Sequence, residues 1–460
     1  MSELFDVIVI GSGPGGYVAA IRAAQLGFKT ACVEKDPYLG GVCLNVGCIP
    51  SKALLQSTEL YYKMVHHGKE YGIEGNIELN FAQMMKRKNS IVSGFNTGIA
   101  SLFKKNKITK IQGTATFTSS ETITVAGKEI RGKNFILATG SEPMPLPFLP
   151  FDEKKVISST GALSLQEIPK KMIVVGAGVI GVELGSVYSR LGTEVHFIEF
   201  LDRICPTLDK GLSKALEHSL TKQGLTFALK TKVIQAKIND KVDLTIEKPN
   251  GGQEQISSDL VLVSIGRMPY TKELGLEAIG IKTDPKGFIP INGSFQTSLP
   301  HIFAIGDIVD GPMLAHKASE EGSAVAEILA GMKPHIEYIA IPNVVYTHPE
   351  VASVGLTVEQ TKEMHISTKI GQFPMKANSR ARASSDDEGF IKIISEEKTG
   401  RIIGVHIISA IAGELIAEAT LAIENRLTVD QLANTCHPHP TFSEALKEAA
   451  LSITKKALHI

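Results

Sequence analysis

Cys43 and Cys48 stand in the run Gly40-Gly-Val-Cys-Leu-Asn-Val-Gly-Cys-Ile-Pro-Ser-Lys-Ala53, with four residues between them in an apolar, glycine-rich setting. Two cysteines so spaced suggest thiol–disulfide redox chemistry. On an ideal helix, residues five positions apart fall well off one face, so bridging this pair needs a distorted helix start. Gly47 permits such a distortion, and Pro50 limits where regular helix begins. Two plainer readings stand beside this one. Free cysteine is among the most buried residue types, so the pair also suits an apolar core. A zinc site has less support, because no second Cys or His pair at ligand spacing accompanies it, and no metal site is assigned.

A second group with chemical potential lies near the other end, in Cys436-His-Pro-His-Pro-Thr-Phe-Ser-Glu444. His439 and Glu444 are five residues apart across a proline turn. A carboxylate that orients one imidazole nitrogen leaves the other to act as a base, although a His near a Glu is more often a solvated pair. His437 and Cys436 have no acid so placed and are read as structural.

The elements that position these residues begin with Phe5-Asp-Val-Ile-Val-Ile10, a buried strand in pattern, which runs into Gly11-Ser-Gly-Pro-Gly-Gly16 and a helical stretch from Tyr17 to Leu26. A second strand, Thr30-Ala-Cys-Val-Glu34, ends in an acid at the spacing of a dinucleotide-binding βαβ motif. Gly11 makes the tight turn, Gly13 lets backbone N–H groups reach a pyrophosphate, and Gly16 packs helix on strand. Glu34 is placed to accept from ribose hydroxyls, and Cys32 is a core residue. The whole pattern recurs in Lys171-Met-Ile-Val-Val-Gly-Ala-Gly-Val-Ile-Gly-Val-Glu183, with Gly176, Gly178 and Gly181 in the three glycine positions and Glu199 closing the second strand. Two such motifs in one chain imply two nucleotides. The acid at Glu199 favours a free ribose 2′-hydroxyl, hence NAD rather than NADP, with Arg203 as a mild counter-signal.

Between and after these motifs, residues 54 to 105 read as mostly helical, and Ile108 to Phe135 as short strands with turns at Gly113 and Ala126-Gly127. Phe135-Ile-Leu-Ala-Thr-Gly-Ser141 brings bare backbone near a ligand at Thr139, Gly140 and Ser141. The cluster Pro143, Pro145, Pro147 and Pro150 marks a domain boundary. A strand in Ser258–Arg267 ends at Gly266, and Leu299–Asp307 delivers Asp307 past a glycine, suited to accept a hydroxyl. Met313, Leu314, Ala315 and His316 open a helix through Leu329 whose N-terminus faces a phosphate or ring carbonyl. From Pro342 onward, strands at Asn343–Tyr346, Ser367–Phe373, Phe390–Ile394 and Ile402–Ile408 precede further helices. The fold class is therefore α/β, with two Rossmann-like dinucleotide-binding domains and a C-terminal α+β domain.

The segments divide as 1–145, 146–266, 267–336 returning to the first, and 337–460. At 460 residues the chain exceeds what one core sustains. Forty-eight basic residues balance 48 acidic ones, which speaks against a nucleic-acid binder, and no apolar run is long enough for a membrane span. Five cysteines fit one redox pair in a reducing compartment better than a secreted disulfide framework. Strand-like residues starting at Phe5 leave no room for a targeting peptide, so the expectation is a cytoplasmic protein or a processed mature form.

Together these residues resemble the flavin-dependent pyridine nucleotide-disulfide oxidoreductases along essentially the whole chain. Cys43-Leu-Asn-Val-Gly-Cys-Ile-Pro-Ser-Lys52, Phe373-Pro-Met-Lys-Ala-Asn-Ser-Arg-Ala381 and His439-Pro-Thr-Phe-Ser-Glu444 are most similar to the branch that oxidises dihydrolipoamide. Glutathione reductases carry two lysines after the proline, and Val42 stands where that branch often has Thr. The resemblance implies FAD at the first motif, with Lys52, Gly113, Thr139–Ser141, Asp307 and Met313–His316 around it. It implies NAD at the second, with Glu183, Glu199, Val233 and Gly266 nearby, and a pairing of Lys52 with Glu183 beside the flavin. By the same resemblance Cys43 and Cys48 form the redox disulfide, Cys43 meets the substrate and Cys48 the flavin. His439, oriented by Glu444, is then the base, and it reaches the cysteine pair of the other subunit of a homodimer through the dimerisation domain 337–460. The implied partners are lipoyl domains of 2-oxoacid dehydrogenase or glycine-cleavage complexes. A related reductase acting on another disulfide or on a metal ion is the alternative, but the second C-terminal cysteine pair usual in mercuric reductases is missing from this sequence. A flavin-bound redox sensor needs no positioned base, so His439 with Glu444 argues against it.

Overall fold

The structure, a computed structural model, describes residues 3–460. The chain forms two compact units, one made of Met1–Leu54, Asn80–Met144 and Gly266–Ile336, the other of Leu55–Leu79, Pro145–Ile265 and Glu337–Ile460.

In the first unit β1 (Leu4–Ile10) pairs in parallel with β2 (Thr30–Glu34). Val7, Ile8 and Val9 are fully buried, as befits a parallel strand covered on both faces. Helix α1 (Pro14–Gln25) starts on a proline, whose missing N–H costs nothing at a helix start. Helices α2 (Gly41–Val46), α3 (Cys48–His67) and α4 (Phe81–Lys105) follow, and then β3 (Thr109–Gln112), which lies beside β2. Strands β4 (Ala115–Ser119) and β5 (Thr122–Val125) form a meander with β6 (Lys128–Leu137). The first part of β6 is antiparallel to β5, whereas its last residues run parallel to β1 on one side and to the strand Ile302–Ala304 on the other. The returning chain also supplies the helix Ala315–Leu329, which lies on α1. A Cβ on Gly15 would come within 2.9 Å of the Ala318 carbonyl oxygen, so glycine is what lets these two helices touch.

The second unit holds a five-stranded parallel sheet ordered Thr226–Ala228, Glu194–Ile198, Lys171–Val175, Leu260–Val263 and Val156–Ile157. A three-stranded antiparallel sheet, Lys232–Ile238, Val242–Glu247 and Gln253–Ser258, shares its core. A further five-stranded antiparallel sheet runs in the order Asn343–Val345, Glu350–Gly355, Ile402–Ser409, Phe390–Glu396 and Thr368–Pro374. Helices Ala412–Glu424 and Glu444–Ile453 close over it on a core that includes Phe373, Ile391, Ala419 and Leu446. Glu350–Gly355 is absent from the strands read in the sequence. Its Ala352 and Ser353 lower strand propensity, and hydrogen bonding to both Asn343–Val345 and Ile402–Ser409 supplies what local preference does not.

Within this unit, the end of α3 is held by charge. His348 lies 3.2 Å from Glu59 Oε1 through Nδ1 and 3.2 Å from Asp386 Oδ1 through Nε2, while Lys63 reaches both acids. Burial alone would lower the His348 pKa, but its close contacts with the Asp386 and Glu59 carboxylates outweigh it and raise it. Burial likewise acts to raise the Glu59 carboxyl, yet His348, Lys63 and Arg190 bring it down to about 2. A raised histidine pKa means stability that is fully present below the unfolded value of about 6.5 and lost as pH rises through the native value. We therefore expect His348→Gln to lower the apparent melting temperature by a few degrees at about pH 6, the effect of losing on the order of 2 kcal/mol of charged hydrogen bonding. The gap to the unmodified protein should narrow in melts recorded at rising pH. A gap that widens towards alkaline pH would contradict the assignment.

Candidate active site

The first glycine turn is shaped by contacts that admit no side chain. Gly11 has φ +98°, and its N–H donates to the Val33 carbonyl at 2.8 Å. A Cβ on Gly16 would fall on the Gly11 carbonyl. Gly13 differs, because a Cβ there would meet nothing within 4 Å. That is the space a pyrophosphate needs at the start of α1. Glu34, 6% exposed, accepts from the Ser12 N–H at 2.9 Å and the Ser12 hydroxyl at 2.6 Å through Oε2, and from the Asp36 N–H at 3.0 Å through Oε1. The carboxylate thus ties the turn to the end of β2 and keeps lone-pair capacity for a ribose hydroxyl. Gly113, at φ +138°, donates its N–H to the Glu34 carbonyl at 2.9 Å.

The second motif repeats this geometry. Gly176 has φ +97° and donates to the Ile198 carbonyl at 2.9 Å, a Cβ on Gly181 would fall on the Gly176 carbonyl, and one on Gly178 would meet open space. Glu199, 7% exposed, accepts from the Ala177 N–H at 2.6 Å and the Leu201 N–H at 2.7 Å. Arg203, the counter-signal, donates to Asp202 at 3.1 Å and to the Pro206 carbonyl at 3.0 Å, so two of its nitrogens are engaged within its own loop. Glu183 is buried on the helix Val179–Arg190 and accepts the Tyr346 N–H at 2.9 Å. Val233 lies at a bulge in the strand Lys232–Ile238, packed against the core of that sheet pair. Gly266, at φ +136°, is where the chain leaves the strand Leu260–Val263 and its carbonyl accepts from Met144 N at 3.1 Å.

The redox run folds as two helices with a break. Cys43 lies in α2 and Cys48 opens α3, so Pro50 falls in the first turn of α3, where proline is tolerated. Gly47 joins them at φ −142° and ψ −117°, and a Cβ there would come within 2.8 Å of the Val42 carbonyl oxygen and 3.0 Å of the Cys43 Cα. The Cys43 thiol hydrogen-bonds to Cys48, which, with burial, pushes its pKa well above the ordinary thiol value, against a smaller opposing pull from Lys52. Cys32, by contrast, is fully buried in β2.

Asp307 and Ser141 belong to a network that sequence reasoning only half saw. Ser141 Oγ donates to Asp307 Oδ2 at 2.5 Å, and Arg267 donates to Ser141 through Nε, at 2.7 Å to the hydroxyl, and through Nη2, at 2.5 Å to the carbonyl. Arg267 follows directly on Gly266, but nothing local shows that it reaches a serine 126 residues earlier. Burial depresses its pKa, opposed by the charges of Asp307, Cys48 and Glu142. Thr139 Oγ1 donates to the Tyr270 carbonyl at 2.6 Å, and Tyr270 N donates to the Gly140 carbonyl at 2.8 Å. The turn before Asp307 is clamped from both sides by a fully buried pair. Lys317 and Glu321 lie 3.1 Å apart, the Gly306 N–H donates to Glu321 at 2.7 Å, and Lys317 donates to the Gly306 carbonyl at 3.3 Å. Met313 precedes Leu314, the N-cap of the helix that begins at Ala315 and His316, and no side chain caps it.

His439 is 71% exposed, with Nδ1 2.9 Å from Glu444 Oε1. Burial would raise the Glu444 carboxyl, but the Thr441 N–H, donating at 2.8 Å, and His439 itself hold it below the usual carboxylate range. With Nδ1 held by Glu444, Nε2 is the imidazole nitrogen that remains to take a proton. His437 overturns the reading that it has no acidic partner: its side chain is 5% exposed and Nε2 lies 2.8 Å from Glu418 Oε1, an acid 19 residues upstream on the helix Ala412–Glu424. Only folding brings that acid near. Among the described residues no helix is long and apolar enough to cross a membrane.

Two dinucleotide turns, a dithiol at a helix start and an oriented imidazole define a class: the chain belongs to the pyridine nucleotide-disulphide oxidoreductases, which it matches over residues 5–322, with the dimerisation domain of that family matched over residues 341–450. It is 51% identical to the mitochondrial dihydrolipoyl dehydrogenase of Pisum sativum over 467 residues, covering 100% of this chain and 93% of the relative. It is 50% identical to that of Homo sapiens over 460 residues, covering 97% and 90%. Among solved structures, LpdA from Mycobacterium tuberculosis superposes with a TM-score of 0.89 at 27% identity, covering 97% of this chain and 99% of the other. The HOCl-induced flavoprotein disulfide reductase RclA from Escherichia coli gives 0.86 at 26%, with the same coverage.

The contrast between crowded and open glycines makes a test. Gly181→Ala should destabilise the protein by about 1–3 kcal/mol, the usual cost of overpacking, as read from thermal melts without added nucleotide. Gly178→Ala should leave those melts unchanged and weaken NAD binding about tenfold by titration, since its methyl enters only the phosphate space. Equal melting losses in the two variants would refute the distinction.

Proposed function

We propose that this protein is a dihydrolipoyl dehydrogenase, oxidising dihydrolipoamide to lipoamide and reducing NAD through FAD and the Cys43–Cys48 pair. The reading is carried by that hydrogen-bonded cysteine pair at the start of α3, in a chain matched along its full length at 51% identity by a relative of that name. Segments 1–145 and 267–336 would hold FAD, through Gly11, Gly13, Gly16, Glu34, Lys52, Gly113, Ser141, Asp307 and the helix start at Met313–His316. Segment 146–266 would hold NAD through Gly176, Gly178, Gly181 and Glu199. The dimerisation domain makes the protein a homodimer.

His439 Nε2 takes the proton of one substrate thiol, while Glu444 holds Nδ1 and balances the charge that forms. The thiolate attacks Cys43 Sγ, a substrate–Cys43 bond forms, the Cys43–Cys48 bond breaks and the electron pair leaves on Cys48. The second substrate thiol, deprotonated in turn, attacks the substrate sulfur of that mixed disulfide. Lipoamide closes its ring, and Cys43 departs with the electron pair and takes a proton. The raised Cys43 pKa suits this end state, in which Cys43 carries a proton. FAD held at the first glycine turn and Asp307 would supply a two-electron acceptor in contact with Cys48, so that the pair can return to the disulfide as Cys43 gives up its proton and the electrons pass on to NAD as a hydride.

The natural dithiol would be the arm of a lipoyl domain in a 2-oxoacid dehydrogenase or glycine-cleavage complex. We place the protein in the cytoplasm, on the strength of a cysteine usage suited to a reducing compartment; fractionation with an antibody would check it. The defining experiment follows NADH absorbance with dihydrolipoamide as donor against reduced glutathione. Dihydrolipoamide should support turnover and glutathione should not, and comparable rates with both would overturn the substrate assignment.

The shared-site reading has its own test. His439→Ala should retain FAD and slow dithiol oxidation by roughly 10²–10⁴, the contribution of a general base. Mixing inactive Cys43→Ser and His439→Ala subunits should form heterodimers with one intact site of two. Recovery should approach about a quarter of normal, by counting sites in a symmetric dimer. Verified subunit exchange with no recovery would place the base in the same subunit as its cysteines.

A further inference from the structure

The chain from 435 to 443 joins the helix Val429–Asn434 to the helix Glu444–Ile453 and carries His439 at its exposed middle. Its second half is anchored well. Thr441 N donates to Glu444 at 2.8 Å, Asn378 Nδ2 donates to the Thr441 carbonyl at 3.0 Å, and Phe442 is 9% exposed in the core. Its first half is held at Thr435, whose N–H donates to the Leu432 carbonyl at 3.1 Å and whose hydroxyl donates to the Gln431 carbonyl at 2.9 Å, at Pro438, whose carbonyl accepts from Thr441 Oγ1 at 2.8 Å, and between them by the His437 side chain. The ring of His437 has Nε2 2.8 Å from Glu418 Oε1 and Nδ1 3.0 Å from the Thr435 carbonyl oxygen, to which Lys447 also donates at 3.1 Å. Glu418 is a firm post, since its helix is fixed on the sheet by Leu415, Ile416, Ala419 and Ala422.

Two histidines two residues apart thus each have a glutamate, and the fold sorts them in opposite senses. The His439 side chain is 71% exposed with one nitrogen engaged; the His437 side chain is 5% exposed with both engaged. A ring with neither nitrogen available cannot accept a proton from a substrate. What it can do is tie the loop to a rigid helix. We propose that His437 and Glu418 are a positioning pair that fixes the loop bearing His439, so that Nε2 of His439 is presented at the height and angle the substrate thiol requires. The proposal rests on the reading of His439 as the base. Because proton transfer depends steeply on placement, loosening the first half of the loop costs rate without removing any reacting group.

Two assays on the holoenzyme separate this role from general stability: dihydrolipoamide oxidation by NAD, which needs the base, and NADH-driven reduction of ferricyanide, which draws electrons from the flavin. His437→Ala and Glu418→Ala should each lower kcat for dihydrolipoamide by about 10- to 100-fold, the scale of a misplacement near 1 Å, with KM for the dithiol little changed. Ferricyanide reduction, flavin content and melting temperature should stay near the unmodified values. Glu418→Gln, whose amide oxygen still accepts, should recover most of the rate. Adding His437→Ala to His439→Ala should cost nothing more, because no base remains to be positioned. Equal losses in both assays, or a further loss in that double variant, would make the pair merely structural and overturn the proposal. Variants that match an active parent in dihydrolipoamide kcat would overturn it alone, whereas an unmodified protein that cannot oxidise dihydrolipoamide would sink the functional reading and the positioning role with it.

Discussion

Gly16 sits so close to the Gly11 carbonyl that the turn between β1 and α1 closes only if neither residue bears a side chain, and Gly181 stands in the same relation to Gly176. Much of each nucleotide half follows from this crowding. It brings the helix down onto its strand, points the first N–H groups of the helix at a cleared volume, and leaves the acid at the end of the second strand within reach of the turn. Glu34 and Glu199 use that reach alike. Each accepts one N–H from the turn and one from two residues beyond itself. Each carboxylate is therefore a strut, which explains why an ionisable group is kept 6–7% exposed at the end of a buried strand.

The redox pair depends on a similar economy of space. Five residues of continuous helix would carry Cys48 off the face of Cys43, and the break at Gly47 brings the two sulfurs into hydrogen-bonding contact. Any side chain at Gly47 would press on the Val42 carbonyl and on the Cys43 backbone. The hydrogen bond, together with burial, holds the Cys43 thiol above the ordinary thiol range.

Charge inside the two units is spent on backbone placement. Lys317 and Glu321, each 1% exposed, hold both polar groups of Gly306 and so aim the turn that presents Asp307. A buried pair of this kind is a poor source of net stability, because desolvation offsets attraction. Its value lies in permitting one geometry. The Glu59, Lys63, His348 and Asp386 cluster does the same for the far end of α3, and His437 with Glu418 for the loop that carries His439.

Spacing along the chain was enough to reveal both dinucleotide motifs, the cysteine pair, and the pairing of His439 with Glu444, because each depends on residues close in sequence whose geometry a turn or a helix start dictates. The same holds for most strands, whose apolar runs declare burial. Tertiary structure alone decided the rest. Arg267 meets Ser141 across 126 positions, Glu418 meets His437 across 19, and Glu350–Gly355 becomes a strand because two neighbours claim its backbone. Arg203 was a mild counter-signal in the sequence, and its contacts with Asp202 and the Pro206 carbonyl come only from the folded loop. A side chain's partner at long range depends on where the whole backbone brings it, and that information is carried by the sum of the packing rather than by any local pattern.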